Sequence, residues 1–201
     1  MPVTPTVTRF MVTMTGTTPL VMDRMAGDDE PATREIKQIT AKGGNMTPED
    51  LRRKDTLQYH SRLYQDQGVL VMPWANVFRA MRSGAALIST RTASQIGGLA
   101  VSAVSIPLLY SGPDVERLFA DPSFQWRTMV NGNPTGKKAM VPTVRPVFSS
   151  WGLQVPLTVF NEVVGEEVAR RVLDITGQAI GIGNARKLGY GRFTCEFKQL
   201  D

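Results

Sequence analysis

Residues 181–193 read GIGNARKLGYGRF, with Gly181, Gly183, Gly189 and Gly191 interleaved with Arg186, Lys187, Tyr190 and Arg192. Glycines let backbone N–H groups approach a neighbour closely, and arginine and lysine neutralise an anion. These are the residue types of a phosphate cradle. The stretch is not a P-loop, because no Gly-Lys-Ser/Thr follows. It is not a dinucleotide fingerprint either: Arg186 stands where the third glycine belongs, and the loop follows a helix-like segment. What remains is a Gly-rich connection from the last helix into the last strand.

Further cations lie in acid-free stretches. Val69 to Pro113 holds Arg79, Arg82 and Arg91 and no Asp or Glu. Trp126 to Trp151 holds Arg127, Lys137, Lys138 and Arg145, again without an acid. The acids gather at Asp28 to Glu30, Glu49 to Asp66, Asp114 to Asp121 and Glu162 to Asp174. If the three basic segments converge, they form a groove with several phosphate contacts and salt-dependent affinity. Trp74, Trp126 and Tyr190 adjoin these cations, at positions where a ring could stack on a base.

Catalytic chemistry is thinly supplied. His60, the one histidine, lies in a helical segment without a visible partner. Cys195 alternates into the last strand and reads as core, since a nucleophile needs a base beside it. Asp23, Asp28 and Asp29 could hold a metal ion, but read more simply as a solvated acidic loop. The reading leans away from an enzyme, with no catalytic residue, metal or cofactor assigned.

The whole chain sets the bounds. Its 201 residues carry a formal charge of +5, with 42% hydrophobic and 20% charged residues, the balance of a globular protein. A single cysteine excludes a disulfide framework and a Cys-based zinc site and fits a reducing compartment. The N-terminus lacks a signal-like apolar region, and no apolar run is long enough to span a membrane. The expectation is a cytoplasmic protein, in the host cytoplasm if phage-encoded.

The elements that must position these residues follow from periodicity. Residues 4–16 alternate and end at Gly16, predicting a strand. Thr47, Pro48, Glu49 and Asp50 open a helix. GVLVMP (68–73) predicts a short strand, and residues 74–86 a helix with Arg79 and Arg82 three apart. STRTASQIGG (89–98) reads as a flexible polar loop. FQWRTMVNGNPTGKKAMVPTVRPVF predicts a long hairpin. Without insertions, the order is strand (6–15), helix (74–86), strand (138–148), strand (152–160), helix (165–178), strand (190–199). That is an α+β, ferredoxin-like (RRM-like) βαββαβ plait, with a helical insertion and a long β-hairpin arm.

IGIGNARKLGYGRF resembles the C-terminal glycine-rich loop of the RAMP superfamily, the RRM-like backbone and processing subunits of CRISPR RNA-guided complexes. VLVMPWANVFRAMRSGA (69–85) resembles that family's strand, proline and basic helix, with Pro73, Asn76, Arg79 and Arg82 in comparable places. Where the family often writes Gly-Ser-Ser after the proline, this chain has Trp74, Ala75 and Asn76. The opening strand with TGTTPL is a weaker match. The resemblance covers about half the chain and extends to small stand-alone phage-encoded proteins.

It implies one domain over residues 1–201, with insertions at about 23–64 and 87–137. It also implies sequence-independent, non-catalytic binding of single-stranded RNA or DNA by a repeating oligomer. Arg79, Arg82, Arg91, Lys137, Lys138, Arg145, Arg186, Lys187 and Arg192 would hold phosphates, with Gly181, Gly183, Gly189, Tyr190 and Gly191 shaping the contact. Partners on this reading would be copies of the chain and CRISPR-type or phage proteins, with no membrane. Two rival readings are a RAMP-type RNA endonuclease using His60 or Asp23, and a phage inhibitor or assembly protein acting through protein contacts.

Overall fold

The computed structural model describes residues 6–131 and 140–200. The chain divides into two compact units. The first comprises Met1–Leu20, Gln65–Ser111 and Ser149–Asp201, the second Val21–Tyr64 and Gly112–Phe148.

The first unit is the plait. Its strands are β1 (Val7–Gly16), β9 (Trp151–Phe160) and β10 (Phe193–Leu200), with β3 (Gln65–Asp66), β4 (Val69–Pro73), β5 (Leu99–Val101) and β6 (Ser105–Tyr110). The sheet order is β10-β1-β9-β6-β4-β3, and β5 pairs β9 beside β6. The pairings are antiparallel. Helix α3 (Trp74–Ile88) connects β4 onward and α5 (Glu166–Ile175) connects β9 to β10.

Alternation on the strands makes one sheet face apolar. Phe10, Val12 and Met14 of β1 register with Leu157, Val155 and Leu153 of β9, and all six are buried. Val77, Ala80, Met81 and Ala85 of α3 and Ala169, Val172 and Leu173 of α5 are buried as well. Their spacing is that of one helix face. Arg170 of α5 lies over the rings of Phe10 and Phe197, 4.9 and 4.6 Å from their centroids.

The second plait strand differs from the sequence expectation. Residues 138–148 were expected in that place, but β6 takes it. Leu108 of β6 registers with Leu153 of β9, and Ile106 and Leu108 bring apolar side chains to the core face. The expected segment forms β8 (Met140–Phe148) in a separate three-stranded sheet, in the order β2-β8-β7, with β2 (Leu20–Val21) and β7 (Gln125–Asn131). Pro142 and Pro146 of β8 lack a ladder N–H, and the Pro146 carbonyl instead accepts from Met22 N–H at 3.0 Å. The expected hairpin is present as the β7–β8 pair, its tip outside the described residues.

The second unit also holds α1 (Pro31–Ala41) and α2 (Pro48–Ser61). Thr47 caps α2 in a reciprocal capping box with Asp50. Tyr59 is fully buried and its hydroxyl donates to the Phe124 carbonyl at 3.0 Å.

Residues 89–98 are not a loop. They form α4 (Thr90–Gln95) and a 3-10 turn (Ile96–Gly98). The reason is local: Ser89 Oγ accepts from Thr92 N–H at 3.0 Å and caps the helix. Among the described residues, no helix is long and apolar enough to cross a membrane.

Candidate nucleic-acid interface

The glycine-rich segment leaves α5 through a π-helical turn, Thr176–Ile180. Gly181, Gly183, Gly189 and Gly191 have φ between 71° and 87°, where side chains are strained. At Gly191 space is also absent, because a Cβ would strike the Ile182 carbonyl oxygen. Ile182 N–H donates to the Gly191 carbonyl at 2.9 Å, so the two arms of the loop lie backbone to backbone. A Cβ on Gly181 would likewise meet the Tyr190 carbonyl oxygen at 2.7 Å. Gly189 differs, for a Cβ there would meet nothing within 4 Å.

The end of β1 braces this loop. Gly191 N–H donates to the Pro19 carbonyl and Thr17 N–H to the Arg192 carbonyl, both at 2.8 Å. Thr18 Oγ1 donates to the Gly189 carbonyl at 2.8 Å and accepts from Arg192 N–H at 2.9 Å. The Thr18 carbonyl in turn accepts from Trp151 Nε1 at 2.8 Å. Thr18 and Trp151 are positioning residues that sequence reasoning missed. The one signal for Thr18 was the TGTTPL segment, which carried no role until the fold placed it against the loop.

Arg186 and Lys187 sit on a 3-10 turn, Arg186–Leu188, started by Ala185 at φ 56° with its N–H held by Asn184 Oδ1. Lys187 and Leu188 are exposed, and Arg186 and Tyr190 are half-buried. Arg192 turns inward: its Nη2 reaches the Arg186 carbonyl at 3.4 Å, and its buried Nη1 has no hydrogen-bond partner.

Helix α3 supplies the second group. Arg79 and Arg82 are exposed on the side away from Gly84, which lies so close to Thr176 that a Cβ would overlap its hydroxyl. Helix α3 is thereby seated on the same π-helical turn that leads into the glycine-rich loop. Trp74 and Phe78, one turn apart, are half-buried with ring centroids 6.0 Å apart. Arg91 is exposed in the first turn of α4.

Charge pairing divides the candidate cations, although the plait unit also holds a pair, Arg170 with Glu166 at 2.9 Å. Among the described residues, Arg79, Arg82, Arg91, Arg186, Lys187 and Arg192 form no ion pair. In the second unit Arg24, Lys37, Lys42, Arg53, Arg62, Arg127 and Arg145 each face a carboxylate within 3.1 Å. Arg145 is bound to Asp23 Oδ2 at 2.9 Å and lies 5.6 Å from the centroid of Trp126. Lys137 and Lys138 lie outside the described residues. The structure therefore brings Arg186, Lys187 and Arg192 onto one loop and Arg79 and Arg82 onto one helix face, while Arg145 belongs to the other unit and to Asp23.

The candidate catalytic groups have other surroundings. Both Asp23 oxygens are engaged, Oδ1 by Arg62 Nε at 3.1 Å and Oδ2 by Arg145. Burial lowers the Arg62 pKa, against the pull of Asp23. Burial also lowers the pKa of His60, whose ring packs against Tyr59 and Phe119 at 5.5 and 6.4 Å. The Cys195 thiol is pushed up to about 12, first by burial and then by Asp174. Among the described residues, no group of three or more His, Cys, Asp or Glu is placed to hold a metal ion.

The open face of the plait sheet, used by many such folds for single strands, has a different lining. Alternation places Arg9, Met11, Thr13 and Thr15 of β1 there, with Gln154, Pro156 and Thr158 of β9 and Thr194, Glu196 and Lys198 of β10. Its centre carries no aromatic ring.

No family model matches the chain, and no curated protein matches it. Solved structures do. A chain of the Type III-B Cmr-beta, solved by cryo-EM bound to cognate target RNA, is 11% identical, with a TM-score of 0.56 over 97% of the present chain. The present chain spans 61% of that neighbour's length. Cmr6 from Pyrococcus furiosus is 10% identical with a TM-score of 0.40, covering 94% of this chain and 97% of its own. The first likeness establishes a shared fold, in accord with the plait that the loop and helix resemblance implied.

Proposed function

We propose that this chain binds single-stranded RNA through its phosphates, without sequence preference and without cutting it. Copies of the chain line up along the strand, in an RNA-guided or phage-encoded setting inside the cell. The observation that carries this reading is the set of carboxylate-free cations on the plait unit: Arg79 and Arg82 on α3, and Arg186 and Lys187 on the glycine-rich loop. Cations already paired to carboxylates, as in the second unit, have less to offer a phosphate. The fold shared with a chain of an RNA-bound assembly supports the choice of RNA.

A phosphate-tracking surface of this kind gives an affinity that falls steeply with salt. The test is fluorescence anisotropy of labelled single-stranded RNA with wild type, Arg79→Ala and Arg186→Ala over a salt series. Each substitution should weaken binding across sequences and reduce the salt slope by about one unit. Unchanged affinity and slope in both variants would remove these residues from the interface.

A further inference from the structure

We propose that Trp74 is a stacking platform for an unpaired base, so that α3 holds both a base and the adjoining phosphates. This inference rests on the RNA-binding reading and names what that site selects: bases free of a duplex.

The chain has three tryptophans, and their environments differ. Trp151 is 3% exposed, and its Nε1 donates to the Thr18 carbonyl at 2.8 Å. It is a core tryptophan, with its polar end satisfied as burial requires. Trp126 packs against Arg145 in the second unit. Trp74 is half-exposed in the first turn of α3, and among the described residues its indole N–H has no acceptor. Its backbone N–H is held by the Val104 carbonyl at 2.9 Å, which fixes where the ring leaves the helix.

The ring is also placed well among charges. Trp74, Phe78 and Arg82 follow at four-residue spacing and form one stripe along α3. Phe78 supports the indole with its ring plane 55° away, so the pair is not a closed stack and leaves an indole face uncovered by it. Arg79 and Arg82 beside the stripe are exposed and, among the described residues, without ion pairs. From Val69 to Pro113 the chain has no acid to repel a phosphate. A half-exposed ring next to unpaired arginines is complementary to a nucleotide, whose base has a π-face and whose phosphate is an anion. In a duplex the bases already stack on one another and are not free to take this place.

The test uses the Trp126→Phe protein, in which Trp74 is the one tryptophan that is not buried. It is titrated with single-stranded RNA of about 12 nucleotides and with an abasic ribose-phosphate strand of equal length. The RNA should quench Trp74 fluorescence and the abasic strand should not. Trp74→Ala should lose about tenfold in affinity for RNA and nothing for the abasic strand, with Trp74→Tyr restoring most of the loss. If Trp74→Ala weakens both strands alike, or neither, while the protein still binds RNA, the stacking inference falls and phosphate binding stands. If the wild-type protein binds neither strand, both readings fall together.

Discussion

Gly189 and Gly191 share a backbone conformation, with φ of 87° and 71°, but not a neighbourhood. A side chain at 191 would strike the Ile182 carbonyl, whereas one at 189 would enter open space. Gly191→Ala should therefore be much the more destabilising. Gly189→Ala should fold at a cost of about 1–2 kcal/mol for the left-handed backbone alone. Urea unfolding of the two variants checks this, and equal losses would contradict it. The distinction was not legible in the sequence, where both residues look like glycines left free for a ligand. Contact with the opposite arm of the same loop, at Ile182, decides which of them serves the fold. The exposure of Arg79 and Arg82 was legible, because helical spacing alone turns them away from Val77 and Met81. The raised pKa of Cys195 likewise agrees with its reading as a packed strand residue rather than a nucleophile.

At the scale of elements, the start of α1 carries a pH-dependent brace. Glu30 is the residue before the helix, and its carboxylate accepts from Arg24 Nη1 and Nη2 at 2.8 and 2.5 Å and from Gly27 N–H at 2.8 Å. The Arg24 hydrogen bonds, and next the Gly27 N–H, hold its pKa down at about 2, below the ordinary 4.5. A depressed carboxylate pKa means that its stabilisation is full above about 4.5 and is lost as pH falls towards about 2. Wild type should therefore exceed Glu30→Gln in stability near neutral pH, and the gap should narrow on acidification to about pH 3. Urea midpoints at the two pH values check it, and a constant gap would contradict it.

Element existence was readable where caps and periodicity were strong, as at Thr47 for α2 and along β9. It failed at residues 89–98, where a polar composition hid the Ser89 cap of α4. It also failed in the choice of the second plait strand. Residues 138–148 lie next to β9 in sequence and invite a hairpin with it, but two prolines and pairing with β7 commit them to another sheet. The short apolar run at 105–110 wins by cross-strand register with β9.

At the scale of the whole molecule, the two units handle charge differently. The second unit pairs seven of its described cations with its own carboxylates, and Asp23 by itself engages two arginines. Among the described residues, the plait unit leaves the cations on α3, α4 and the glycine-rich loop without carboxylate partners. Net charge and the acid-free segments pointed in this direction. They could not show which basic segment was already neutralised, because the partner carboxylates lie far away in sequence, as Asp23 does from Arg145.

The central claim is that the plait unit tracks a nucleic-acid backbone, and its most direct test is the dependence of wild-type affinity for single-stranded RNA on salt. Arg79, Arg82, Arg186 and Lys187, at about 0.7 per neutralised phosphate on a single strand, predict a slope of log affinity against log salt of about −3. Tight binding at low salt with that slope is the expected result. No binding at low salt, or a slope near zero, would contradict the account.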